Sequence, residues 1–141
     1  MGSEMCIRDS YKHFNKVVFD NRLPQANFMF RKTNRSAGYY KATWGYARLK
    51  HIINISRAYV DKLEFEDLAE ILLHEMLHLW FDINGIKDIY SNGTHNWRFR
   101  LLAYRLGIPC NRDGVNMGRI DSIFNKIMQG KYNIKINEIG F

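Results

Sequence analysis

His74, Glu75 and His78, within the run His74-Glu75-Met76-Leu77-His78, bring two imidazoles and a carboxylate to a spacing that suits a single metal ion. On a helix, positions i and i+4 share one face, so both rings can reach one ion at roughly 2.0–2.1 Å. Glu75 then lies beside a metal-activated water. Zn2+ lowers the pKa of such a water to about 7, and a carboxylate in reach takes its proton as it attacks a polarised carbonyl. The expected chemistry is peptide-bond hydrolysis without a covalent intermediate, with Zn2+ as cofactor, His74 and His78 as ligands and Glu75 as general base. Chance, a structural metal site or a surface helix produces the same five letters, so the surrounding chain has to supply the context.

A catalytic zinc usually takes three protein ligands plus water. Asp82 continues the i, i+4 series but lies about 12 Å of helix rise from His74, too far to share an ion with both histidines. It is better placed behind a ligand or as a helix-end charge. Asp88, in the following loop, stays a candidate. His95, 17 residues beyond His78 at the start of the next expected helix, is the strongest one, because that helix can fold back across the first and no other histidine follows His78. His13 and His51 lack such a context and read as ordinary structural residues. Arg98, Tyr90 and Tyr104 are unranked candidates for steadying an oxyanion.

The elements that must position these groups follow from periodicity. With Asp9 or Ser10 as N-cap, Tyr11, Phe14, Val17 and Val18 recur at helical spacing to about Asp20, and Leu23-Pro24 breaks the helix. Three aromatic and β-branched segments, 28–33, 39–49 and 51–55, read as a small sheet with Gly38 and Gly45 as bends or bulges. Ser56 caps a short turn. Glu66-Asp67 open the helix that carries His74 and His78, which Asn84-Gly85 stops. That helix is apolar nearly all round and should be buried, so its two histidines and glutamate need partners, which a metal provides. A third helix is expected over 95–106, closed by Gly107 and Pro109, another over 119–128, and a strand over 132–136. The fold class is α+β: a small sheet packed against the HExxH helix and further helices.

A chain of 141 residues forms one domain with a core of its own. Hydrophobic residues at 46% exclude a disordered polypeptide, and the lack of an uncharged apolar run of about 18 residues excludes a membrane span, so a soluble protein is expected. Cys6 and Cys110 form no CxxC pair, which fits a reducing, cytoplasmic setting. Residues 1–10 (MGSEMCIRDS) lack the apolar core of a signal peptide and read as a non-native leader, leaving 11–141 as the domain.

In order along the chain, Phe14-Asn15, Phe19, Leu23-Pro24, Ala37-Gly38, Ile53-Asn54-Ile55-Ser56, the HEMLH run, and His95 followed by Phe99 make the sequence resemble the SprT-like zinc metallopeptidases, the family that includes Spartan. The resemblance runs to about Gly107. It implies a zincin-like fold with His74, His78 and His95 as zinc ligands and Glu75 as general base. Two departures stand out. The family commonly has Gly-His-Gly at the third ligand, where this chain has Gly93-Thr94-His95-Asn96; Asn tolerates left-handed backbone better than most residues, so the turn is expected to survive. Many bacterial members end in a four-cysteine zinc ribbon, which this sequence does not show, so the resemblance does not carry over any DNA targeting that depends on it.

The net charge of +7 is uneven. Between Asp20 and Asp61 there is no carboxylate, while Arg22, Arg31, Lys32, Arg35, Lys41, Arg48, Lys50 and Arg57 supply eight positive charges. Tyr39, Tyr40, Trp44 and Tyr46 are interleaved with them, a pattern suited to phosphates and stacked bases, and Tyr40, Trp44, Tyr46, Arg48 and Lys50 share strand parity. DNA is therefore an expected partner through segment 22–57, in keeping with the resemblance, in which some members cleave proteins crosslinked to DNA. The bland reading is a half-buried sheet with its cations in water. Three functions compete: a zinc endopeptidase acting on protein substrates, including DNA-associated ones; a non-catalytic nucleic-acid-binding module with a structural zinc; and a zinc hydrolase of non-peptide substrates.

Overall fold

The computed structural model describes the backbone of residues 3–33 and 36–141 and, within them, the side chains from Cys6 onward. Met1 and Gly2 of the expected leader, and Arg35 of the basic segment, lie outside the described residues. The first helix, α1 (Ser3–Phe19), starts earlier than expected. Asp9 and Ser10 lie inside it rather than capping it, because Ile7 continues the buried stripe of Tyr11, Phe14 and Val18 at helical spacing. Beyond Phe19 the chain turns through left-handed Asp20 and Asn21. Asn15 fixes that exit: its Oδ1 accepts from Leu23 N (3.0 Å) and its Nδ2 donates to Leu23 O (3.1 Å).

Three strands follow, β1 (Ala26–Met29), β2 (Gly38–Trp44) and β3 (Leu49–Ile55), in the order β1-β3-β2. β3 pairs in parallel with β1 (Phe28 opposite Ile53) and antiparallel with β2 (Tyr40 opposite Ile53). Asn54 is fully buried in the central strand and supplies what the short β1 cannot. Its side chain accepts from Arg31 N (2.8 Å) and donates to Arg31 O (3.0 Å), carrying the ladder beyond Met29. Gly38 begins β2 and is no bend. A Cβ there would lie 2.7 Å from Asn54 O, so only glycine lets the strand approach this closely.

A short α2 (Arg57–Val60) leads to α3 (Phe65–Ile83), the helix that carries His74-Glu75-Met76-Leu77-His78. Its core side is Leu68, Leu72, Leu73, Met76, Leu77, Leu79 and Phe81, packed on α1 and the sheet. Gly85 (φ +66) ends it as expected. Then come α4 (Trp97–Arg105) and α5 (Asp121–Met128), each starting two residues later than the sequence suggests. Expectation and structure part at 132–136, which form no strand. Tyr132 is half-buried, Ile134 faces solvent and Ile136 is buried at the head of a 3-10 turn (Ile136–Glu138), so the alternation does not mark one face. Asn137 anchors that turn, accepting from the Trp80 indole (2.8 Å) and donating to Phe19 O (3.0 Å). The molecule is α+β, and among the described residues no helix is long and apolar enough to cross a membrane.

Candidate metal centre

Three imidazoles meet where α3 passes the start of α4. His74, His78 and His95 each offer a ligand atom, all within 4.8 Å of one another, and among the described residues no other His, Cys, Asp or Glu joins the group. His74 and His78 project from one face of α3. His95 is carried by the loop between the helices, held to it by an isolated bridge to Ile89. Asn96, next in sequence, caps α4: its Oδ1 accepts from Phe99 N (3.0 Å) and its Nδ2 donates to Lys87 O (2.7 Å). Its φ of −81° is ordinary, so the left-handed backbone expected at Asn96 is not needed; Gly93 (φ +86°) takes that conformation instead. Phe99 stands beneath all three rings, stacked on His78 with centroids 4.1 Å apart and edge-on to His74 and His95 at 5.0 Å.

The hydrogen bonds behind the rings decide which nitrogens face inward. Asp88 Oδ2 lies 2.7 Å from His78 Nδ1, and Arg112 O lies 3.2 Å from His95 Nδ1. Burial pushes the Asp88 carboxyl up, but the hydrogen bond and charge of His78 outweigh it and hold the group below its usual range. An ionised carboxylate and a carbonyl both only accept, so both Nδ1 atoms carry the protons. The two Nε2 lone pairs then confront each other at 3.1 Å. That arrangement suits a cation between the nitrogens. Tetrahedral coordination at 2.0–2.1 Å would separate two such nitrogens by about 3.4 Å, close to what is found. Burial first, and the neighbouring imidazoles next, hold His74 and His95 below the usual imidazole range, in the neutral form that ligates. The donor set fits a borderline-soft divalent ion such as Zn2+.

Glu75 lines the same cleft. It is 6% exposed, and burial raises its carboxyl to about 7 although His78 pulls the other way. A Cβ at Gly38 would sit 3.5 Å from its Oε2, so the start of β2 runs close beside it. The cleft has a volume of about 770 Å3 and is bounded by the start of β2, by Tyr59 and Ile71, and by Ile89, Cys110 and Val115. Burial pushes the Cys110 thiol up to about 11, with Arg100 opposing and Glu75 adding to it.

Other expectations fare differently. Asp82 stands behind no ligand; it accepts from the Tyr40 hydroxyl (2.7 Å), which in turn is bonded to His51 Nδ1 (2.8 Å). Asp88, retained from the sequence as an alternative third ligand, occupies the place behind a histidine instead. His13 Nε2 is bonded to Ile127 O (2.8 Å). Arg98, Tyr90 and Tyr104 do not line the cleft: Arg98 lies over Trp97, the Tyr90 hydroxyl accepts from Trp97 N, and Tyr104 faces solvent. The basic segment is spread over several elements. Arg31 and Lys32 follow β1 at one edge of the sheet, while Lys41 belongs to β2 at the other, and Tyr40 is tied inward. Strand parity fails at Gly45–Arg48, which turn between β2 and β3 with Gly45 N donating to Arg48 O (2.9 Å). Trp44 and Tyr46 nevertheless stand 76% and 102% exposed at that tip. The sequence matches the SprT-like family over residues 7–118. No individual curated protein and no solved structure shows significant similarity to it.

Proposed function

The chain belongs to the SprT-like family, and from that premise we propose that it is a zinc-dependent endopeptidase of zincin-like fold, with His74, His78 and His95 as metal ligands and Glu75 as general base. The observation that carries this reading is the pair of Nε2 atoms 3.1 Å apart, each ring backed only by an acceptor, beside a buried carboxylate on a cleft wall. When bound, Zn2+ supplies a Lewis acid that polarises the scissile carbonyl and acidifies a water. Glu75 takes the proton of the attacking water and returns it to the leaving amine. Asp88 and the Arg112 carbonyl keep two imidazoles aimed and basic. The edge of β2 turned away from β3 has no partner among the described residues, and residues 36–40 line the cleft. An extended peptide can add to that edge as a further strand, which favours protein over small-molecule substrates. Among the described residues the group has three ligands rather than four, which also favours a working site over a structural zinc. Zinc-loaded protein should cut an unfolded protein substrate. Glu75→Gln should keep the metal and lose at least about 100-fold in rate, and equal rates in the two proteins would refute the assignment.

A nucleic-acid partner is a second proposal, supported by the hairpin tip. Trp44 and Tyr46 offer open ring faces, with Lys41, Arg48 and Lys50 exposed around them. Stacking on such rings contributes about 1–3 kcal/mol per base, and the cations attract phosphate. Substrates would then be proteins associated with or crosslinked to DNA. Single-stranded DNA affinity should fall with rising salt, and drop at least about 10-fold in a Trp44→Ala, Tyr46→Ala double variant. Binding indifferent to both changes would remove the hairpin from consideration.

A further inference from the structure

The loop that follows α4 carries no ligand and no catalytic carboxylate, yet it touches His95 at three points. Arg112 O accepts from the His95 backbone N (2.7 Å) as well as from its ring Nδ1 (3.2 Å). Gly114 lies flat against the same ring: a Cβ there would be 2.6 Å from Cε1, 2.9 Å from Nε2 and 3.2 Å from Nδ1. Its φ of +78° also belongs to glycine. The loop is built to stay in place. Asn111 Oδ1 accepts from Asp113 N (2.9 Å) and Val115 N (3.0 Å), Asn111 N donates to Val115 O (3.0 Å), and Gly114 N donates to Asn111 O (3.0 Å). Cys110 and Asn116 bridge across its base, and Met117 N donates to Pro109 O (2.9 Å).

We propose that the Asn111–Gly114 turn is the positioning element for the third metal ligand, locking His95 as the Nδ1–H tautomer with its Nε2 turned toward His74 and His78. His95 needs such a device more than its two partners do. α3 holds His74 and His78 at fixed spacing through its own backbone, and Asp88 orients the second ring. His95 sits ahead of its helix, on a loop that cannot by itself set the ring angle. A carbonyl accepts and never donates, so Arg112 O selects one tautomer, and the bare Gly114 backbone sets the ring plane from the side. Asn111 acts one step further back by fixing the turn that carries both.

The proposal rests on the metal reading, and two measurements separate them. In metal-free protein with 15N-labelled histidine, NMR should show His95 protonated at Nδ1 with Nε2 bare. Gly114→Ala and Asn111→Ala should mix the tautomers and weaken zinc affinity, measured by competition with a chromophoric chelator, by about 10–100-fold. Asn111→Asp keeps the accepting oxygen and should restore both readouts. His95 protonated at Nε2 in the unaltered protein would overturn the proposal. So would tautomer and affinity both unmoved in Asn111→Ala, a variant that puts no new atom against the ring. Unaltered protein with the Nδ1–H tautomer but no zinc uptake would refute the metal reading and leave the turn's hold on His95 standing.

Discussion

Glu75 is a buried acid whose proton is held up to about 7 against an ordinary 4.5. In metal-free protein this has a signed consequence. Between those two values the folded chain keeps a proton that the unfolded chain has lost, so Glu75 costs little stability near pH 4.5 and progressively more as pH climbs to 7. Glu75→Gln removes the group. The variant should gain stability over the unaltered protein across that window, approaching about 3 kcal/mol above it. Urea unfolding of both metal-free proteins at several pH values measures this, and a difference that does not change with pH would mean that Glu75 is not buried as described. At this scale the sequence was legible where spacing alone carries the chemistry: HEMLH puts two imidazoles and a carboxylate on α3 whatever surrounds it. Asp88 was not legible as the group behind His78, because a loop, not a helical period, brings it there. The Asn111–Gly114 turn was invisible for the same reason: its link to His95 is made by a backbone carbonyl and a missing Cβ.

Elements follow the sequence where capping and periodicity agree. α3 and its stop at Gly85 are the clearest case, since the apolar pattern and the stop signal point to the same boundary. Residues 132–136 are the opposite case. Their alternation looks like a strand, but Asn137 anchors the segment to Trp80 and Phe19, and side-chain bonds replace the ladder. The aromatic pattern expected as a strand over 39–49 runs past Gly45, while the backbone turns there and β2 ends at Trp44. Asn96 shows how one residue joins two elements, capping α4 with Oδ1 and holding the preceding loop through Lys87 O with Nδ2. Asn96→Ala leaves both ends without a partner and should cost about 1–2 kcal/mol, read as a lower denaturation midpoint. Asn96→Asp keeps the cap and should recover part of the loss. A midpoint unchanged in Asn96→Ala would show that the cap contributes nothing to holding His95.

Across the whole molecule, the described basic residues of segment 22–57 are spread over the exit of α1, the end of β1, β2, the hairpin turn, β3 and α2. The cleft and the hairpin tip share β2: its first residues border the metal centre and its last residue, Trp44, opens the exposed tip. One strand thus joins the proposed catalytic and nucleic-acid surfaces, an arrangement that no local pattern in the sequence discloses. The three-histidine centre remains the feature on which the function depends. It divides a hydrolase from a binding module by a single structural property, whether the metal keeps a position open. Zinc X-ray absorption on the purified, zinc-loaded protein reads that property directly. The expected shell is three imidazole nitrogens at about 2.0–2.1 Å and one further light-atom ligand from solvent, with no sulfur. A sulfur shell at about 2.3 Å, placing Cys110 on the metal, or a fourth imidazole, would mean a closed structural site and would contradict the peptidase assignment.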